Sequence, residues 1–184
     1  TANSDTIGLF HNMMKLVSQR NTLPSVKADA LALLLVDDKE HFRKSVHRLK
    51  KSLKEHATPL NSRAFRGKEG ETMLLYAPGY KAGTLVLVGV GMLEKLSIEK
   101  LRRAAATSAR VARGLKARSL AIFEPGEEIT NALSPQNDGD IHQAVGLALG
   151  EGVILGSYKF DKYISRENPK AAILDQLSVI SEDP

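Results

Sequence analysis

The chain has 184 residues, 42% of them hydrophobic, with 26 Lys and Arg against 21 Asp and Glu for a formal net charge of +5, and it contains no cysteine. That length suits one real core, since single domains run to roughly 100 to 200 residues. The lack of cysteine excludes disulfides, thiolate zinc sites and cysteine nucleophiles, and no stretch approaches the roughly 18 consecutive apolar residues of a membrane helix. A cytoplasmic location fits this composition.

In chain order, Met13 to Ser18 is a short, weakly alternating strand candidate, followed by a polar connection, Asn21 to Val26, that contains Pro24. Ala30 to Val36 (ALALLLV) is a continuous apolar run of the kind expected of a strand buried on both faces. Asp37 or Asp38 then offers a carboxylate to the free amides of a following helix turn. The helix expected from about Glu40 to His56 places Phe42, Val46, Leu49 and Leu53 on one stripe, and most of its remaining surface is basic. His41, His47 and His56 share no face and have no carboxylate at ligand spacing, so they are not read as metal ligands.

Pro59 and Asn61 interrupt the chain before Ala64-Phe65-Arg66, and Lys68-Glu69-Gly70 separates that piece from Thr72 to Tyr76. Two β-prone runs across a glycine turn predict a hairpin and hence a mixed sheet. After the turn signals Pro78-Gly79 and Ala82-Gly83, the run Leu85 to Val88 is a second buried strand, breaking into Gly89-Val90-Gly91. Glycines between strand and helix are the mark of dinucleotide-binding turns, but the third glycine position here is Glu94, which would repel a phosphate. A tight turn leaving the strand is therefore expected at Gly89 to Gly91.

Ser97 is the expected N-cap of the next helix, with Glu99 at the positive end of its dipole and Leu96 and Leu101 at staple spacing. Leu101, Ala105, Ser108, Ala112 and Leu115 form one narrow face of mostly small residues. Arg102, Arg103, Arg110 and Arg113 gather on the other side as a candidate contact for a polyanion or another subunit. They belong to a basic middle: residues 39–118 hold 19 Lys and Arg against 6 Asp and Glu, a net of +13, and the rest carries −8. Neither interleaved aromatics nor helix-turn-helix or zinc-finger spacing accompanies these arginines.

Leu120 to Phe123 is the next strand, ended by Pro125-Gly126, and a helical crossover between it and Leu85 to Val88 makes the two parallel. Asn131 to Asp140 reads as a polar loop, with Asp138 or Asp140 capping a helix from Ile141. That helix carries Gly146, Gly150 and Gly152 and must be held by close packing, because each glycine costs roughly 1 kcal/mol relative to alanine. His142 reads as a surface residue. Tyr158, Phe160 and Tyr163 cluster next, as candidate anchors on a neighbouring surface. A polar stretch from Ser165 and one more strand candidate, Ala171 to Ile180, complete the chain.

Two segments carry a family resemblance. The run TLVLVGVGMLEKLSIEKLRRAAATSARVARGLKARSLAI from Thr84, followed by ALGEGVILGSYKFDKY from Ala148 to Tyr163, resembles the N-terminal domain of the leucyl aminopeptidases, also called cytosol aminopeptidases. The resemblance implies a three-layer α/β/α, macro-domain-like fold with a mixed, mostly parallel central sheet. It divides the chain into a non-catalytic domain over 1–164 and a linker over 165–184 toward a C-terminal catalytic domain that the sequence lacks. Such enzymes release N-terminal amino acids, leucine preferentially, from peptides; their catalytic domain binds two divalent metal ions, zinc or manganese, and they assemble as hexamers. The signature Asn-Thr-Asp-Ala-Glu-Gly-Arg-Leu is nowhere in this sequence, so no catalytic, metal or cofactor-binding residue is assigned. The expected partners are the catalytic domain, further copies of the chain, and no membrane. A binding module for DNA through the arginine face, or for an ADP-ribose-like ligand, is the alternative.

Overall fold

Residues 30–36 are apolar at every position because the strand they form has no solvent side. The computed structural model describes residues 14–53, 65–134, 139–158 and 174–182. Six strands form one sheet: β1 (Lys15–Asn21), β2 (Ala30–Val36), β3 (Thr72–Tyr76), β4 (Thr84–Gly91), β5 (Ser119–Phe123) and β6 (Gln176–Glu182). Their order is β1-β6-β5-β2-β4-β3, with only β3 antiparallel to its neighbour. The described helices are α1 (Lys39–Leu53), α2 (Ile98–Gly114), α3 (Glu127–Leu133) and α4 (Ile141–Ser157).

Along β4 and the first half of β2 the two sheet faces differ in side-chain size. Ala30, Ala32, Val86, Val88 and Val90 point to the layer of α2, α3 and α4, while Leu31, Leu33, Leu35, Leu85 and Leu87 point to α1. Small residues on one face let the alanine-rich side of α2, Ala104, Ala105, Ala109 and Ala112, lie close on the strands. On the other face Val46, Leu49 and Leu53 of α1 fill the space over the leucines, and the rings of Phe42 and Phe65 lie 6.0 Å apart. The fold is thus the expected three-layer α/β/α arrangement with a mixed, mostly parallel sheet.

Several local expectations are corrected. The antiparallel partner of β3 is β4, reached through the turn of residues 77–83, not the Ala64-Phe65-Arg66 run. Phe65 is a core residue, and Ala64 lies outside the described residues. No turn occurs at Gly89 to Gly91; β4 continues through them with residues 67–71 laid alongside, the Gly70 amide donating to the Gly89 carbonyl at 3.0 Å and the Gly91 amide to the Gly67 carbonyl at 2.9 Å. Residues 131–133 belong to α3 rather than a loop, because Ile129 and Leu133, four apart, are both buried beneath it. Leu115 leaves the small-residue face, since α2 ends at Gly114 and Lys116 takes a positive φ. The expected linker over 165–184 contains an interior strand: β6 pairs with β1 and β5 at once, so residues 176–182 are part of the folded unit.

A carboxylate fixes the start of β2 against β5. The Asp29 carboxylate accepts from the amides of Arg118 and Ser119, both at 2.8 Å, and the Asp29 amide donates to the Ser119 hydroxyl at 2.9 Å. Burial works to raise its pKa, but the Ser119 and Arg118 amides outweigh it and hold the carboxyl below its ordinary value of 3.8. A group with a depressed folded pKa stabilises above the unfolded value and loses that contribution as pH falls through the folded one. Stability is therefore expected to fall on acidification below 3.8, and Asp29→Asn to be less stable at neutral pH by about 1 kcal/mol with a flatter acid limb. Denaturation midpoints of both proteins across acidic pH check this.

Candidate functional site

A cleft opens where two strands part. The β2–β5 ladder stops at Ala32 and Ile122, yet β2 stays paired with β4 to Val36 and β5 with β6 to Phe123. From β2 the chain goes to one side of the sheet, and from β5 to the other. In open α/β sheets this reversal is where ligands bind, outside the carboxyl ends of the strands. The cavity here has a volume of about 530 Å³.

Its floor is apolar, made by Leu33 and Leu35 of β2, Leu49 of α1 and Phe123 of β5. One wall is the first turns of α1, with His41 and Lys44; the opposite one is Glu124 of the β5–α3 connection with Glu127 and Glu128 of the first turn of α3, and His142 of α4 stands beside them. Asp38 is the cap of α1: its carboxylate accepts from the amides of His41 at 2.9 Å and Glu40 at 3.0 Å and bonds His41 Nδ1 at 2.8 Å. The His41 amide and ring, followed by the Glu40 amide, hold the Asp38 carboxyl below its usual range. Asp140, the expected alternative to Asp138, caps α4 through the amides of His142 at 2.9 Å and Gln143 at 3.4 Å. Asp138 lies outside the described residues. Both long helices that point at the cleft therefore present amides already occupied by their own carboxylates. The Glu124 carboxylate accepts from the Ser181 hydroxyl at 2.7 Å.

None of this cleft was marked by a motif. Its walls come from residues near 33, 41, 124 and 142, and the only local sign is that β2 and β5 end in Asp37-Asp38 and Glu124-Pro125-Gly126. Gly89 and Gly91 stand on β4, where the chain's own residues 67–71 fill the space beside them.

The arginines of α2 do not face outward together. Arg102 bonds Glu99 and reaches Glu151 of α4 at 2.8 Å, and Arg113 donates to the Gly156 carbonyl at 3.3 Å. Arg103 pairs with Glu99 at 3.2 Å and Glu69 at 3.6 Å, while Arg110 bonds the Thr107 hydroxyl at 2.8 Å. Arg102 and Arg113 thus tie α2 to α4, while Arg103 and Arg110 stay exposed. Between the same two helices Gly152 and Gly156, four residues apart, meet α2 so closely that an added Cβ at either would lie within 2.2 to 2.3 Å of a backbone oxygen.

The opposite side of α4 is exposed and mostly apolar, with Glu151 as the charged residue among its large side chains. Leu147, Ile154, Leu155 and Tyr158 are 58%, 52%, 64% and 72% accessible, and their spacing of seven, one and three puts them on one side. Tyr158 ends the helix; Phe160 and Tyr163 lie outside the described residues. A helix apolar on both sides is normally buried on both. Glycine counting hides this surface in the sequence, although the Leu147, Ile154 and Tyr158 spacing carries it. Among the described residues no group of three His, Asp or Glu side chains stands where it could hold a metal ion, and no described helix is long and apolar enough to cross a membrane.

The fold and cleft define a three-layer α/β domain with a small-molecule-sized crevice and an uncovered helix face. Residues 33–167 match the model of the cytosol aminopeptidase family, N-terminal domain. The chain is 27% identical over 172 residues to a probable cytosol aminopeptidase of Alkaliphilus oremlandii, covering 92% of this chain and 33% of that protein. With the one of Protochlamydia amoebophila the identity is 30% over 141 residues, 76% and 26% of the two chains. A tomato leucine aminopeptidase mutant shares the fold, with a TM-score of 0.64 at 20% identity, over 97% of this chain and 34% of that one. The chain belongs to the cytosol aminopeptidase family and corresponds to its N-terminal domain. It spans about a quarter to a third of the length of these relatives.

Proposed function

We propose that this chain is the non-catalytic domain of a metal-dependent leucyl aminopeptidase acting in the cytoplasm, and that the exposed face of α4 docks it onto the remainder of the longer polypeptide. The observation that supports this most is the stripe of Leu147, Ile154, Leu155 and Tyr158, which leaves large apolar side chains in water on a helix already packed on its other side. The relatives are about three to four times as long, so a further domain is the occupant at hand. The zinc or manganese ions, the peptide-cleaving residues and the leucine preference belong in this reading to that further part. Packing several such units together as a homo-oligomer, and shaping access to the active site, are the contributions proposed for the present domain.

Two measurements test it. The 184-residue chain alone is expected to hydrolyse no leucine amide with manganese or zinc added; turnover by it would overturn the reading. In a full-length aminopeptidase carrying this domain, Leu155→Asp with Tyr158→Asp is expected to loosen the domain from the rest, seen as faster proteolysis between them. Subunit dissociation with the two parts still joined would assign the face to oligomer contacts instead. Unchanged proteolysis and unchanged assembly would remove the docking role.

A further inference from the structure

The cleft between β2 and β5 is left over by the aminopeptidase reading, which uses the α4 face and leaves this end of the sheet without a role. Three of its properties constrain an occupant. The volume of about 530 Å³ falls in the range of small-molecule pockets. The floor of Leu33, Leu35 and Phe123 takes an apolar group. The rim is of both signs, with Lys44 and His41 on one wall and Glu127 and Glu128 on the other.

Among the described residues the carboxylates of Glu127 and Glu128 make no hydrogen bond or close ion pair, and Glu128 attracts Lys44 from a distance, so both keep lone pairs for a cation. Lys44 holds Glu40 at 2.7 Å, but both side chains are about 70% exposed, and such surface pairs are worth only about 0 to 1 kcal/mol. Lys44 can therefore exchange that partner for a ligand carboxylate. A diphosphate is disfavoured, because three carboxylates with Glu124 stand at the mouth and the α1 and α4 amides are already capped by Asp38 and Asp140.

We propose that this cleft binds a small zwitterion with an apolar side chain, an α-amino acid or dipeptide, its ammonium group at Glu127 and Glu128, its carboxylate toward Lys44 and its side chain on the leucine floor. The inference stands whether or not the chain docks onto a peptidase. Methyl NMR of the 184-residue chain titrated with L-leucine and leucyl-leucine tests it. Saturable shifts are expected at the methyls of Leu33 and Leu35. N-acetyl-leucine, which lacks the ammonium, and Glu127→Gln with Glu128→Gln are each expected to weaken binding about tenfold, as loss of a charged hydrogen bond should. Glu127 is exposed and Glu128 half-buried, and neither carboxylate holds a neighbouring segment in place, so the variant keeps the unliganded methyl spectrum that shows it folded. The absence of shifts at millimolar leucine, equal binding of N-acetyl-leucine, or tighter binding of ADP-ribose at the same methyls would each overturn the proposal.

Discussion

Gly152→Ala is expected to destabilise the domain by about 3 kcal/mol or more, the upper end of what forcing extra atoms into a packed interior costs. A methyl group there would sit 2.2 Å from the Arg102 carbonyl oxygen and 2.8 Å from the Ala105 Cβ. The first of these is backbone and cannot swing aside, so α4 must back away from α2. That movement would also pull Glu151 from Arg102 and the Gly156 carbonyl from Arg113. Gly150→Ala is the matching control: nothing lies within 4 Å of its added Cβ, and removing a helical glycine should stabilise by about 0.5 to 1 kcal/mol. Urea midpoints of the two variants should therefore move in opposite directions. A shift of the same sign in both would mean that α4 is not seated on α2 as described.

A comparable loss, about 3 kcal/mol, is expected for Gly89→Ala. Its Cβ would fall 2.0 Å from the Lys68 carbonyl oxygen and 2.5 Å from the Gly67 carbonyl carbon. The intruding segment is held by the Gly89 amide donating to the Glu71 carbonyl at 2.8 Å and by Gly70 donating to the Gly89 carbonyl at 3.0 Å, so relief would break hydrogen bonds on the central strand. Gly79→Ala, in open space with no positive φ, should stay within about 0.5 kcal/mol of the parent. Thermal unfolding of both reads the difference. A Gly89→Ala protein as stable as its parent would reopen the view that these glycines make room for a ligand.

The strands β2, β4 and β5 were legible because burial on both faces demands uninterrupted apolar runs, and α1 because a strand-covering helix repeats its apolar residues every three to four positions. The caps at Asp38, Ser97 and Asp140 were readable for the same local reason. The pairing of β3 was not, because Phe65 carries a β-prone label that its place against Phe42 overrides. β6 showed as a strand candidate within Ala171 to Ile180, but only insertion between β1 and β5 makes it a core strand rather than part of a linker. The arginines of α2 likewise share an arc on a helical wheel, yet Arg102 finds Glu151 and Arg113 finds Gly156 across more than forty residues of chain.

Composition and periodicity alone determined an α/β domain with parallel buried strands and no thiol chemistry. Those properties are set by each residue's own preference for water or for its immediate neighbours, which any window of the chain displays. Tertiary structure decided which strands lie beside which, that β2 and β5 separate to leave a cleft, and that α4 carries a second apolar face into solvent. These depend on groups brought together from distant parts of the chain, and the energy that selects them exists only once the layers have packed.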